Sequence, residues 1–321
     1  MGKGSTAKCA THRLKMLLTN YQLRITSCKF WFCGLLFLFV LAGNSFAQTN
    51  LETFAEIFKR GKTEQKRSAL FQIRNLESAE ASHVAIPALR DTDEIIRATA
   101  AFSVIFLPKD EALQVLLPLL SDKKELVRRE TAYALGKVRN QGAINPLIQI
   151  LQKDKVLEVR NASVVALGEI GDVSAVAEFV KLLQKKPNDK EAFLRRSAAR
   201  SIGQIAQVIQ TDKVKVITPE DFLPEKYKVV ETPKYANLIE TFPTFHPAND
   251  VLIQTLQNPK ETDDVKREAA FALGAIGDVS AIPILQKHLD AKDYYLAQIC
   301  QAALNKIQKI FSRKDAQKTQ K

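Results

Sequence analysis

A chain of 321 residues in which 46% of the side chains are hydrophobic and 26% charged has the make-up of a folded protein of one or two domains, which excludes disorder throughout. Its net charge of +12 suggests a nucleic-acid surface until it is divided: residues 1–47 hold Lys3, Lys8, Arg13, Lys15, Arg24 and Lys29 and no acid, so the rest carries 41 basic against 35 acidic side chains. That remainder is too nearly balanced for a broad phosphate-tracking surface, and nucleic acid is not the expected partner.

The basic stretch leads into FWFCGLLFLFVLAG (Phe30–Gly43), and small residues follow at Ser45 and Ala47. A positive leader, a short apolar run and an A-x-A-like site predict a signal peptide over 1–47, cut between Ala47 and Gln48. The expected destination is periplasmic or extracellular, with no stable membrane insertion after cleavage. The alternative is an anchor through residues 30–43, although a span usually needs about 20 apolar residues. Met16, the only methionine besides Met1, is a second possible start. Cys9, Cys28 and Cys33 leave with the leader, so Cys300 alone remains, no internal disulfide is available, and the fold must be held by its core.

Beyond the leader one phrase recurs. It reads VRRETAYALGKVRNQGAINPLIQIL from Val127, VRNASVVALGEIGDVSAVAEFVKLL from Val159 and VKREAAFALGAIGDVSAIPILQKHL from Val265. Aligned on its basic position, the repeat falls at Lys66, Arg97, Arg128, Arg160, Arg195, Lys266 and, in a worn last copy, Ala297. The spacings of 31, 31, 32, 35, 71 and 31 fit seven units, one of them lengthened by an insertion. Three positions later stand small residues (Ala69, Ala100, Thr131, Ser163, Ala198, Ala269, Cys300); seven and ten later stand large apolar ones, Ile73 and Leu76 in the first unit, Leu135 and Val138 in the third. This 3, 7, 10 spacing marks one buried helical face. Glycine eight later (Gly136, Gly168, Gly203, Gly274) fits a loosening of the helix near its C-terminal end. An aspartate six before the basic residue (Asp91, Asp122, Asp154, Asp189) is placed to cap the helix that follows. Between these helices lie second apolar segments, such as VAIPALR, LQVLLPLL and INPLIQIL, in which Pro87, Pro146 and Pro283 fall early, where proline costs a helix little. Two short helices per unit predict an all-α fold, a right-handed α-solenoid of about seven helix pairs with one inserted non-repeat segment.

Asp, then Val-Arg, then Ala-Leu-Gly and Ile-Gly-Asp, then an apolar helix near a proline, resembles HEAT repeats of the short type also found in cyanobacterial bilin lyases. The resemblance covers residues 51–206 and 247–309. It implies that a recurring Asp and Arg hydrogen-bond to link successive units, so that Asp91, Asp122, Asp154 and Asp189 pair with Arg97, Arg128, Arg160 and Arg195. Lys66, Lys266 and Ala297 depart from the arginine, and the ladder is expected to stop at these ends.

The resulting organisation is a leader over 1–47, four repeats over 48–209, an insertion over 210–246, two further repeats and a cap over 247–311, and a basic tail over 312–321. The insertion combines Pro219, Pro224, Pro233 and Pro243 with Phe222, Tyr227, Tyr235, Phe242 and Phe245, too aromatic for a plain linker. It reads either as an arm over the solenoid or as an excursion packing its own rings.

Chemistry is sparse. His12, His83, His246 and His288 lie at no ligand spacing, no glycine-rich phosphate loop or G-x-S-x-G turn occurs, and neither a metal nor another cofactor is expected. Some HEAT-repeat proteins hydroxylate a modified lysine with His-Glu pairs that hold iron, and this chain has no His-Glu dipeptide. What remains is surface. At 3.6 residues per turn, positions one and five after the basic residue point away from the buried face. They give Phe71, Phe102, Tyr133, Arg200 and Phe271 at position five and Arg129, Arg196 and Arg267 at position one. By the HEAT resemblance this helix lines the concave side, and rings beside arginines concentrate binding energy. The expected function is an exported, non-catalytic scaffold for a protein or peptide. The alternative is an enzyme, or a subunit of one, related to bilin lyases or HEAT-type oxidoreductases.

Overall fold

The structure is a computed structural model and describes residues 51–211, Lys234 and 238–311, with the backbone of the last helix continuing to Lys318. The leader, the greater part of the insertion and the side chains of the basic tail lie outside the described residues. The chain divides into two units, residues 1–61 and 62–321. In the first, residues 51–60 form α1, which buries Phe54 and ends where the Gly61 amide donates to the Ile57 carbonyl at 2.7 Å.

The second unit is all helix and turn among its described residues. In chain order come α2 (Thr63–Asn75), α3 (Ala79–Ala85), α4 (Glu94–Ser103), α5 (Lys109–Leu116), α6 (Glu125–Val138), α7 (Ile144–Lys153) and α8 (Leu157–Ile170). Then follow α9 (Val176–Gln184), α10 (Ala192–Thr211), α11 (Leu238–Thr241), α12 (Phe245–Gln257), α13 (Asp263–Ile276), α14 (Ile282–Lys287) and α15 (Tyr294–Lys318). The helices that carry the basic position, α2, α4, α6, α8, α10, α13 and α15, each pack on the next and form one row. The shorter helices α3, α5, α7, α9, α12 and α14 sit against them as a second layer. This is an α-solenoid, and each pair covers apolar surface that its neighbour leaves open.

The buried face follows the 3, 7, 10 spacing. Ala69, Ala100, Thr131, Ser163, Ala198, Ala269 and Cys300 are buried, as are Ile73, Val104, Leu135, Leu167, Ile202, Leu273 and Leu304. At position ten the pattern holds for Leu107, Val138, Ile205, Ile276 and Ile307, while Ile170 is half-buried and Leu76, just past the end of α2, is exposed.

Three local expectations are corrected. The recurring glycines do not loosen helix ends; they lie inside α6, α8, α10 and α13, where the next helix of the row comes closest. A Cβ on Gly136 would stand 2.8 Å from the Ala166 Cα, and one on Gly274 would stand 2.7 Å from the Ala303 Cα. The helices end instead at a left-handed residue three positions later: Gly171 at φ 82°, Gly277 at φ 80° and, in α6, the non-glycine Arg139 at φ 55°. Pro146 and Pro283 lie in the first turns of α7 and α14 as expected, but Pro87 does not open α3. α3 precedes Pro87, which begins a tight helical turn over Ile86–Arg90, and Pro118 stands in the same way after α5, in the turn Leu117–Ser121.

The third correction concerns the aspartates, which tie the units in a different register. Arg97 donates to Asp122 at 2.8 and 3.0 Å, Arg128 to Asp154 at 2.7 and 3.0 Å, and Lys66 to Asp91 at 2.6 Å. Each side-chain partner belongs to the following unit. The carbonyl of the arginine's own aspartate accepts only its third group, Arg97 on Asp91 at 2.8 Å and Arg128 on Asp122 at 2.9 Å. The second carboxylate oxygen accepts the amide two residues on, Asp93, Lys124 or Val156, and so fixes the loop before the helix rather than the helix itself.

Lys66 therefore extends the ladder that was expected to stop there. Asp189 does not join it, because the following turn points Glu191 at Arg160 instead, at 3.5 Å. Arg195 meets Glu261, and at the last unit Arg267 rather than Lys266 reaches Asp293, at 2.7 Å.

The insertion interrupts the sequence but not the stack. α10 packs on α13 and α9 on α12. Across this seam Arg195, 3% exposed, donates to Glu261 at 3.0 and 3.2 Å and to the carbonyls of Leu182, Leu183 and Lys185 at 2.9, 3.2 and 2.8 Å. A guanidinium this deep is tolerable because all of its donors are engaged. The repeat resumes earlier than Pro247: Phe245 opens α12 and is fully buried, and Leu238 and Ile239 of α11 are buried too. The Lys234 amide donates to the Gln210 carbonyl at 2.7 Å, so the chain returns to the point where α10 ends.

Candidate partner-binding face

Each inner row helix meets a row neighbour on either flank and short helices behind, and the end helices α2 and α15 meet one row neighbour each, which among the described residues leaves one face open. Positions one and five lie on it. So does the position two before the basic residue, seven residues before position five and hence on the same side. That third column supplies exposed Ile95, Phe193 and Tyr295, which a search confined to positions one and five passes over.

The expected residues separate into two groups. Toward the N-terminal end of the row the rings remain accessible. Phe71 on α2 is 60% exposed, and Phe102 on α4 and Tyr133 on α6 are half-buried. Partial burial raises the Tyr133 phenol above its usual value, with the nearby Glu130 charge acting in the same direction. The guanidinium beside Phe102 is not Arg129, which turns to Glu130 at 2.8 Å, but Arg74 of the preceding helix, whose Cζ sits 5.0 Å from the ring centroid. The signal for Arg74 was in the sequence: it occupies position eight, where four other units have glycine and cannot offer a side chain.

Around the seam the expected residues are taken up by the fold itself. Phe271 is 6% exposed, its ring lies against Gly203, and Lys306 stands 5.6 Å from its centroid. It is a core ring of the α10–α13 contact and leaves the set of partner-facing residues. Arg196 and Arg200 both face the buried Glu268, at 3.6 and 3.8 Å. Arg267 bridges Asp264 at 2.8 Å and Asp293 at 2.7 Å and lies 5.8 Å from the Tyr295 ring. Tyr294 and Tyr295 are exposed and meet edge to face at 5.9 Å.

Burial pushes the Cys300 thiol up to about 12, so it is a packed small side chain rather than a nucleophile. His83 pairs with Glu111 at 2.9 Å on the surface. Among the described residues no three His, Cys, Asp or Glu side chains gather in a metal-holding group.

The HEAT-repeat family profile matches residues 82–168 and 144–218, and the PBS lyase HEAT-like repeat matches 265–291. The chain is a HEAT-repeat protein. No curated protein matches it in sequence. Among solved structures it is similar to an engineered protein at 20% identity and a TM-score of 0.47, covering 80% of this chain and 68% of that one. It is also similar to human deoxyhypusine hydroxylase in complex with glycerol, at 19% identity and a TM-score of 0.37 over 83% and 98% of the two chains. The complex of CpcE and CpcF of phycocyanin lyase from Nostoc sp. PCC7120 is similar at 22% identity and a TM-score of 0.36, covering 73% and 94%. Likenesses this distant transfer neither activity nor partner to these HEAT repeats. No helix among the described residues is long and apolar enough to cross a membrane.

Proposed function

We propose that this HEAT-repeat chain is an exported, non-catalytic scaffold that holds a protein or peptide partner on the open face of its helical row. The observation that carries the reading is the run of accessible rings on three successive helices of the row, Phe71, Phe102 and Tyr133, with the Arg74 guanidinium over one of them. Rings and arginines held by rigid helices give large contact area at small entropic cost. Export rests on the basic leader, apolar run and small-residue site of residues 1–47.

Replacing Phe102 by a photo-crosslinking phenylalanine in the native cell tests the reading. A defined adduct is expected from position 102 and none from Gln149, exposed on the short helix α7 behind the row. Adducts from Gln149 alone would place the partner on the other layer. Intact-mass measurement of the mature chain should give Gln48 as its first residue, and retention of residues 30–43 would favour the anchored form.

A further inference from the structure

The open face is not uniform in charge, and its N-terminal end differs from the rest. On α4 the outward accessible residues are Ile95 and Phe102, neither of them charged, while Ala98 on the same side is buried. Toward α6, Arg129 is satisfied by Glu130 and Lys137 by Glu169 at 2.6 Å. Toward α2 the outward charges are Glu64, Arg67 and Arg74, all exposed, and neither arginine forms an ion pair among the described residues. Next to them Phe71 is exposed over most of its surface. The seam and the C-terminal end show no such surplus, since Arg196, Arg200 and Arg267 already face Glu268, Asp264 and Asp293.

Two guanidinia without an ion pair among the described residues thus border an uncharged apolar strip. An arginine whose face lies over a ring can still donate its planar N–H edge to a carboxylate. Building on the scaffold reading, we infer that the partner is an acidic, apolar-bearing peptide segment. It lays an aliphatic or aromatic side chain along Ile95 and Phe102 of α4 and places carboxylates on Arg67 and Arg74 of α2. A basic segment would meet two like charges there against the single carboxylate of Glu64, and a purely polar one would leave Phe71 and Phe102 uncovered.

The test is selection of random linear peptides displayed on phage against the mature protein. Anisotropy of a fluorescein-labelled consensus peptide follows, at low and high salt. Enriched sequences should combine Asp or Glu with large apolar residues, and binding should weaken with salt. The double variant Arg67→Gln, Arg74→Gln should weaken binding by about tenfold or more, and Phe71→Ser should also weaken it. All three substitutions are at exposed sites, and an unchanged thermal melt shows that the fold is intact. Enrichment of basic or uncharged peptides, no enrichment, or equal binding by the double variant overturns the inference. The Phe102 crosslink separates the two failures. A crosslinked segment that is basic or uncharged sinks the acidic chemistry and leaves the scaffold standing, whereas no crosslink at all sinks the scaffold.

Discussion

Arg128 links two repeats through one guanidinium: it donates to the Asp122 carbonyl of its own unit at 2.9 Å and to both carboxylate oxygens of Asp154 in the next, at 2.7 and 3.0 Å. Because Asp154 also holds the Val156 amide at 2.9 Å, the same carboxylate sets the loop that aims α8. Planar, bidentate recognition suits this task, and a lysine reproduces only part of it.

Asp154→Asn should therefore cost about 2 kcal/mol, the scale of a hydrogen bond to a charged group that is largely out of water. Asp189→Asn should stay within about 0.5 kcal/mol, since Asp189 is exposed and receives no guanidinium. Urea unfolding of both variants checks the register of the ladder. Equal losses would mean that the pairs do not cross from unit to unit.

Acid should loosen the solenoid. Burial alone would raise the carboxyls of Asp91, Asp122, Asp154 and Asp293. The hydrogen bonds and charges of Lys66, Arg97, Arg128 and Arg267, with nearby amides, outweigh it and hold all four below the usual value. A depressed folded-state value means that the stabilisation is complete above the ordinary aspartate range of about pH 4 and is lost as pH falls through the lower folded values. Melting temperature should hold from neutral pH to about pH 5 and drop below about pH 4. The drop should be smaller in Asp122→Asn, which has one fewer carboxylate to protonate.

Two substitutions at neighbouring repeat positions should have opposite signs. Gly136→Ala lies mid-helix, where alanine usually gains about 1 kcal/mol, yet its Cβ would meet the Ala166 backbone at 2.8 Å. A net loss of about 1 to 3 kcal/mol is expected from the forced separation of α6 and α8. Arg139→Gly relieves a left-handed residue at φ 55° and should gain about 1 kcal/mol. Paired denaturation curves decide both.

Phe71 and Phe271 stand at the same repeat position and should behave oppositely. Phe271→Ala empties the contact over Gly203 and should cost about 3 to 5 kcal/mol. Phe71→Ser should leave the melt nearly unchanged, because the ring is exposed. A large loss at Phe71 would remove it from the partner-binding face.

Excising residues 212–233 should leave a folded helical protein, because Gln210 and Lys234 already meet across the gap. Extending the deletion to residue 246 should not, since it removes buried Leu238, Ile239 and Phe245. Circular dichroism of the two deletions distinguishes a spliced loop from an integral element.

The helical row and its core could be read from repetition alone. A period of about 31 residues with apolar side chains at fixed offsets leaves few alternatives to stacked helix pairs, because a single pair cannot cover its own apolar face. Spacing also placed Phe102 and Tyr133 on a partly accessible face, and the i, i+7 relation that adds Ile95 and Phe193 was equally available. What lay beyond it were contacts between units. Whether Asp122 answers Arg97 or Arg128 depends on how far one pair is displaced along the next, and periodicity is silent on displacement. Phe271 and Phe71 are indistinguishable by position, yet α13 presses its ring onto Gly203 of α10 while Phe71 stays exposed among the described residues. Repetition determined which residues turn inward. Only the packing of one helix on another decided which outward residues stay free, because that depends on the distance between helices and on the charge a neighbour presents.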